Sequence, residues 1–134
     1  MSDPKTALVP AAAAAPFGSY SHGILAPSGG RIVVTSGQLG LGRDGACPDD
    51  VVGQAGICFA TIDGILSDAG TDRAAILRLN AYVTRREDFA GYMAVRDAWL
   101  EGVAVKPAST LLIVSGFTRL EFLVEIEATA WVRD

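Results

Sequence analysis

Residues 106–132 read KPASTLLIVSGFTRLEFLVEIEATAWV, and the alternation in the second half of this stretch decides the fold. From Phe122 onward the even positions are Phe122, Val124, Ile126, Ala128, Ala130 and Val132, all apolar. The odd positions are Leu123, Glu125, Glu127, Thr129 and Trp131. Alternate residues of a strand face opposite sides, so this strand has one wholly apolar face and one that carries two carboxylates. A carboxylate pair in so hydrophobic a setting must be solvated, paired or used.

The rest of the chain supplies layers for this strand to pack in. Just upstream, Pro107 precedes a strand over Thr110 to Val114, and Gly116 to Glu121 form the turn between the two. Further back, Glu87-Asp88 opens an amphipathic helix with Phe89, Tyr92, Met93, Trp99 and Leu100 along one side, ended by Gly102. Ile76 to Val83 reads as a strand, with Leu77, Leu79, Ala81 and Val83 on one face and Arg78, Asn80 and Tyr82 on the other. Asp49-Asp50 marks a helix start. Apolar residues then recur at Val51, Ala55, Cys58, Phe59, Ile62, Ile65, Leu66 and Ala69, with Gly70 as the stop. Gly37, Gly40, Gly42 and Gly45 make an irregular loop that no Lys-Ser/Thr follows, so it is no phosphate cradle. A first hairpin is expected over residues 20–36, from Ile24–Ala26 and the β-branched run Ile32 to Thr35 across a Pro27-Ser28-Gly29-Gly30 turn. Residues 1–16 are Ala/Pro-rich and are expected to be a flexible leader to a single domain over 17–134.

The resulting order, β-β-α-β-α-β-β, predicts an α+β sandwich with two helices on one sheet face. The other face carries apolar area beside Arg78, Glu125 and Glu127. Burial in a symmetric assembly, with Arg78 pairing a glutamate, is the economical arrangement.

Composition narrows function. The 134 residues suffice for one domain, half of them are hydrophobic, and mean hydropathy is +0.33. No apolar run reaches the ~18 residues of a membrane span. The net charge of −4 and the lack of a basic cluster beyond Arg85-Arg86 argue against nucleic acid as a partner. Two cysteines and one histidine are too few for a zinc site. No metal and no cofactor are expected, and the weak N-terminal apolar stretch points to a cytoplasmic protein.

Several short motifs resemble the RidA family, also called the YjgF-type or reactive-intermediate deaminase family. They are Gly18-Ser19-Tyr20-Ser21-His22, Thr35-Ser36-Gly37-Gln38-Leu39, Asp88-Phe89-Ala90, Pro107-Ala108-Ser109-Thr110 and Val124-Glu125-Ile126-Glu127-Ala128, in the family's order. The resemblance implies a chorismate-mutase-like fold and a homotrimer whose sheets form a central barrel with the helices outside. Ligand sites would lie in the three clefts between subunits. It further implies hydrolysis of a small reactive enamine or imine to a carbonyl compound and ammonia. In that scheme Glu125 orients the water, while Tyr20 and Gly37 help form the pocket around the metabolite. Ser109 stands where such deaminases carry an arginine that grips a substrate carboxylate, and Thr110 follows it. Ser19 and Met93 replace a proline and an asparagine. A charge-assisted bond contributes roughly 1.5–3 kcal/mol, so loss of a bidentate arginine implies an altered substrate specificity.

Each candidate also has a plainer reading. Glu125 and, more readily, Glu127 are alternatively structural carboxylates, and Tyr20 a staple for the N-terminal segment. Ser109 and Thr110 are alternatively ordinary strand-start residues. Lys106 and Arg119 flank the region as candidate substitutes for the missing cation, the plainer expectation being solvated loop charges. His22 is adjacent to Ser21, and neighbouring strand residues point apart, so a nucleophile–base pair is not expected. Neither Cys58, on the buried helix face, nor the loop residue Cys47 has an activating partner. The reading that follows is an imine or enamine deaminase. Its alternatives are a non-catalytic ligand-binding or chaperone-like trimer, and an endoribonuclease or translation inhibitor, which the acidic balance disfavours.

Overall fold

The computed structural model describes residues 5–134. Seven strands and two helices run in the order β1 (Thr6–Leu8), β2 (Gly23–Leu25), β3 (Arg31–Val34), β4 (Gln38–Leu39), α1 (Val51–Ala69), β5 (Ile76–Val83), α2 (Phe89–Trp99), β6 (Ala108–Ile113) and β7 (Val124–Val132). The main sheet is ordered β3-β7-β5-β6, with β4 following β3 along the same edge of β7. Every pairing in it is antiparallel except β5 with β6, which α2 connects as a crossover.

The helices form where capping and periodicity predict. The Asp50 carboxylate accepts from the Gly53 amide at 2.9 Å and so starts α1. Gly70 ends it in the left-handed region, at φ 86°, returning its amide to the last carbonyls. Val51, Ala55, Cys58, Phe59, Ile62 and Leu66 of α1 are buried against Val124, Ile126, Ala128 and Ala130 of β7 and Leu79, Ala81 and Val83 of β5. Phe59 stacks on Trp99 of α2, with ring centroids 4.3 Å apart, locking the two helices together on one face.

The alternation read in residues 122–132 is realised: the even positions of β7 are buried, and Glu125, Glu127 and Thr129 are half-buried on the opposite face. In β5, however, Ile76 is buried and Leu77 is not, because a register irregularity between Ile76 and Arg78 inserts one residue against β7.

The expected 20–36 hairpin does not exist. β2 pairs back to β1 as a separate two-stranded ribbon, while β3 pairs with β7. The intervening turn wraps Trp131 instead. Gly29 and Gly30 both have φ 73°, Trp131 Nε1 donates to the Gly29 carbonyl at 2.9 Å, and a β-carbon on Gly30 would lie 2.3 Å from that nitrogen. The β-β-α-β-α-β-β order of the main sheet nevertheless holds, its first two strands being β3 and β4. Residues 1–4 of the expected leader lie outside the described residues. Thr6–Leu8 of that leader is strand, and Lys5 is 2 % exposed with Nζ donating to the Ile76 carbonyl at 2.6 Å.

Candidate functional site

Thr35 sets up one half of the site. Its amide donates to the Ala128 carbonyl and its Oγ1 accepts from the Ala128 amide, each at 3.0 Å. A side chain thus stands in for backbone in the ladder, and pairing resumes only at Gln38. The chain between, Ser36-Gly37, leaves the ladder beside Glu125. A β-carbon at Gly37 would fall 2.2 Å from Glu125 Oε2, so only glycine lets the loop lie this close. Glu125 is half-buried and accepts no hydrogen bond from any described residue.

Its neighbour Glu127 is paired. Arg78 Nε donates to Asn80 Oδ1 at 2.9 Å and Arg78 Nη2 to Thr110 Oγ1 at 2.6 Å, while Asn80 Nδ2 donates to Glu127 Oε2 at 3.1 Å. The expected Arg78–glutamate ion pair is therefore replaced, within the chain, by an amide relay. Glu127 raises the pKa of Tyr82 on the same face, after the larger effect of desolvation.

The other half is a cleft of about 550 Å³ between α2, the start of β6 and the segment before β2. Phe17, Gly18, Tyr20, Phe89, Met93, Arg96, Asp97, Ser109 and Leu111 line it. The segment is pinned at its far end: the Ser21 amide donates to Pro107 O at 2.9 Å and Ser21 Oγ to Lys106 O at 2.6 Å. His22 Nε2 donates to the Ala14 carbonyl. Tyr20 packs edge-on between Phe17 and His22, at centroid distances of 5.7 and 6.1 Å.

Register fixes which side of the sheet each residue serves. Ser109 is paired to Leu79 and Leu111 to Ala81, on the helix face; Thr110 is paired to Asn80, on the open face with Glu125 and Tyr82. Tyr20 and Ser109 therefore share the cleft. Gly37 and Glu125 meet on the open face, and Thr110 lies on that face bound by Arg78.

The two loop cations are engaged elsewhere. Lys106 is not a solvated charge, since Nζ donates to the Leu100 and Val103 carbonyls at 2.8 and 2.7 Å and ties down the chain after α2. Arg119 lies 3.8 Å from Glu121 and over the Phe122 ring. The cation in the cleft is Arg96, which the sequence analysis did not single out. Its spacing from Phe89, Tyr92 and Met93 was the available sign, for it falls on their apolar side.

Neither thiol is activated. Burial pushes Cys58 up to about 12, and its Sγ donates to the Gln38 carbonyl at 3.2 Å. Desolvation and, next, Glu121 raise Cys47. Among the described residues no cluster of His, Cys, Asp or Glu could hold a metal, and no helix is long and apolar enough to cross a membrane.

Comparison with known proteins places these features in context. The family model described as endoribonuclease L-PSP matches residues 10–132. A RutC family protein of Aquifex aeolicus is 29% identical over 116 residues, covering 86% of this chain and 90% of its own. The Rid family protein YyfB of Yersinia pestis superposes with a TM-score of 0.84 at 26% identity, over 96% of this chain and 99% of that one. The YjgF gene product of E. coli superposes at 0.71 with 27% identity and the same coverage.

Proposed function

The chain belongs to the Rid/YjgF family described as endoribonuclease L-PSP, and on that footing we propose that it hydrolyses a small reactive imine or enamine to a carbonyl compound and ammonia. The observation that carries this reading is the Glu125 carboxylate, half-buried on β7 against the Gly37 loop and accepting no hydrogen bond from any described residue. A carboxylate so placed serves a water or a ligand.

In the proposed step Glu125 takes a proton from water as the oxygen bonds to the imine carbon, and the C=N π pair passes to nitrogen. The proton then returns to nitrogen, giving the carbinolamine; Glu125 next takes the hydroxyl proton and delivers it to the amino nitrogen as the C–N bond breaks, so that ammonia leaves as the carbonyl forms. Tyr20 and Ser109 hold the substrate from the cleft side. Because they and Glu125 occupy opposite faces of the sheet, the complete site is assembled between copies: one contributes the cleft and the next contributes Gly37 and Glu125. Ile32 and Val34, 54 % and 71 % exposed, with Leu112 at 49 %, supply the apolar open face that a homotrimer would cover.

The test is ammonia release from enzymatically generated imines of graded size and charge. Turnover that falls roughly 100-fold or more in a folded Glu125→Gln variant supports the reading. Turnover unchanged by that substitution sinks it. Binding without turnover of any imine favours a non-catalytic ligand-binding trimer, which would keep the cleft and need no water-orienting carboxylate.

A further inference from the structure

Arg96 is 4 % exposed and stands in the cleft wall opposite Ser109, among Phe17, Phe89, Met93 and Leu111. Its ion pair with Asp97 ends on a single oxygen, Oδ1, to which Nε donates at 3.1 Å and from which Nη2 lies 3.0 Å. Asp97 itself is 46 % exposed at the side chain, so half of this pair is in water. The guanidinium carbon lies 5.8 Å from the centroid of the Tyr92 ring. The segment carrying Tyr20 lies against the same guanidinium, for a β-carbon at Gly18 would be 3.3 Å from Nη2. A guanidinium presents five N–H donors in a rigid fork, more than one Asp97 oxygen and the Tyr92 side chain can take up.

We propose that the cleft is a carboxylate-binding site in which Arg96, on α2, grips the anion, with Ser109 Oγ as a second donor. The ligand's remainder packs on Phe17, Phe89, Met93 and Leu111, which selects small monocarboxylates bearing an apolar or aromatic group. The proposal rests on the reading of this cleft as the substrate pocket, and it names the class of substrate. The cation absent from position 109 is thus supplied across the cleft, from a helix instead of a strand. Guanidinium and carboxylate match in planar, bidentate geometry, which a lysine does not reproduce.

The experiment is calorimetric titration of the intact protein with phenylacetate and with its uncharged isostere phenylacetamide. The acid is expected to bind at least about tenfold more tightly, as one charge-assisted bond implies. Arg96→Gln removes the preference and Arg96→Lys retains part of it. Asp97→Asn, which removes the competing carboxylate, tightens binding of the acid and leaves the amide unchanged. Glu125→Gln, which removes a negative charge facing the same ligand, abolishes turnover while the acid keeps or gains its preference, so failure of the hydrolytic reading and failure of this one are distinguishable. Equal affinity for acid and amide, no binding of the acid at millimolar concentration, or a preference that survives in Arg96→Gln overturns the proposal. Should Arg96→Gln fail to fold, an acid affinity unmoved by Asp97→Asn overturns it equally.

Discussion

Gly37 and Glu125 approach so closely that a β-carbon on the first would stand 2.2 Å from Oε2 of the second. The group that must yield is the far end of a flexible side chain. Gly37→Ala is therefore expected to displace the carboxylate while leaving the melting temperature nearly unchanged. Imine turnover should fall, by roughly 100-fold if the carboxylate shifts by about 1 Å. Thermal unfolding measured beside ammonia release checks this, and full activity in the variant would dissociate Glu125 from the chemistry.

Gln54 is a fully buried amide on α1 that knits three separate segments. Nε2 donates to the carbonyls of Pro48 and Glu121, and Oε1 accepts from the Leu123 amide, all at 2.8 Å. Gln54→Leu keeps the volume and leaves those three backbone groups without their partner, at a cost of about 3 kcal/mol. Urea denaturation reads the loss. Because Leu123 lies two residues before Glu125, activity should fall in this variant even at temperatures where it remains folded.

The exposure of Val34 on the open sheet face gives a direct test of assembly. Val34→Asp places a charge where a second copy is proposed to pack, and no charged group is buried there without a partner at small cost. Light scattering coupled to size exclusion should find a trimer for the parent and a monomer for the variant. A parent that runs as a monomer would refute the shared site.

Burial of the Cys58 thiol carries a pH signature. Its folded value is raised from 9.0 to about 12, so above pH 9 the unfolded chain releases a proton that the folded chain keeps. Stability then decreases with rising pH between 9 and 12, by about 1.4 kcal/mol per pH unit from this group, and is unaffected by it below pH 9. Tyr92, whose phenol burial raises from 10.0, acts in the same direction above pH 10. Denaturant melts between pH 9 and 10 should show a flatter slope for Cys58→Ala than for the parent.

What could be read in the sequence were the elements whose own residues dictate them. α1 announces itself through Asp50, Gly70 and a helical apolar spacing, and β7 through strict alternation against a buried face. The ribbon of β1 and β2 has no such pattern. Three residues at Thr6–Leu8 find three at Gly23–Leu25 across a long connection whose end is pinned by the Ser21 bonds to Lys106 and Pro107. β4, two residues long, exists by virtue of Thr35 filling a gap in a ladder. The candidate site was legible residue by residue, yet its division was not. That Ser109 and Thr110 serve opposite faces follows from the parallel register with β5, a tertiary fact. Arg96 was not singled out for a related reason, since its burial in the cleft wall depends on how α2 packs beside β6 and the segment before β2.

One feature of the sheet bears on how the chain reaches this structure at all. β7 is the strand to which β3, β4 and β5 each pair, and it is synthesised after all three. While the ribosome is still upstream of Val124, α1, α2 and the β5-β6 pair can form, but the edges of β3, β4 and β5 that β7 fills are left unpaired. The nascent protein must therefore hold those strands apart until β7 emerges, the interval in which exposed strand edges are most open to mispairing and to chaperones.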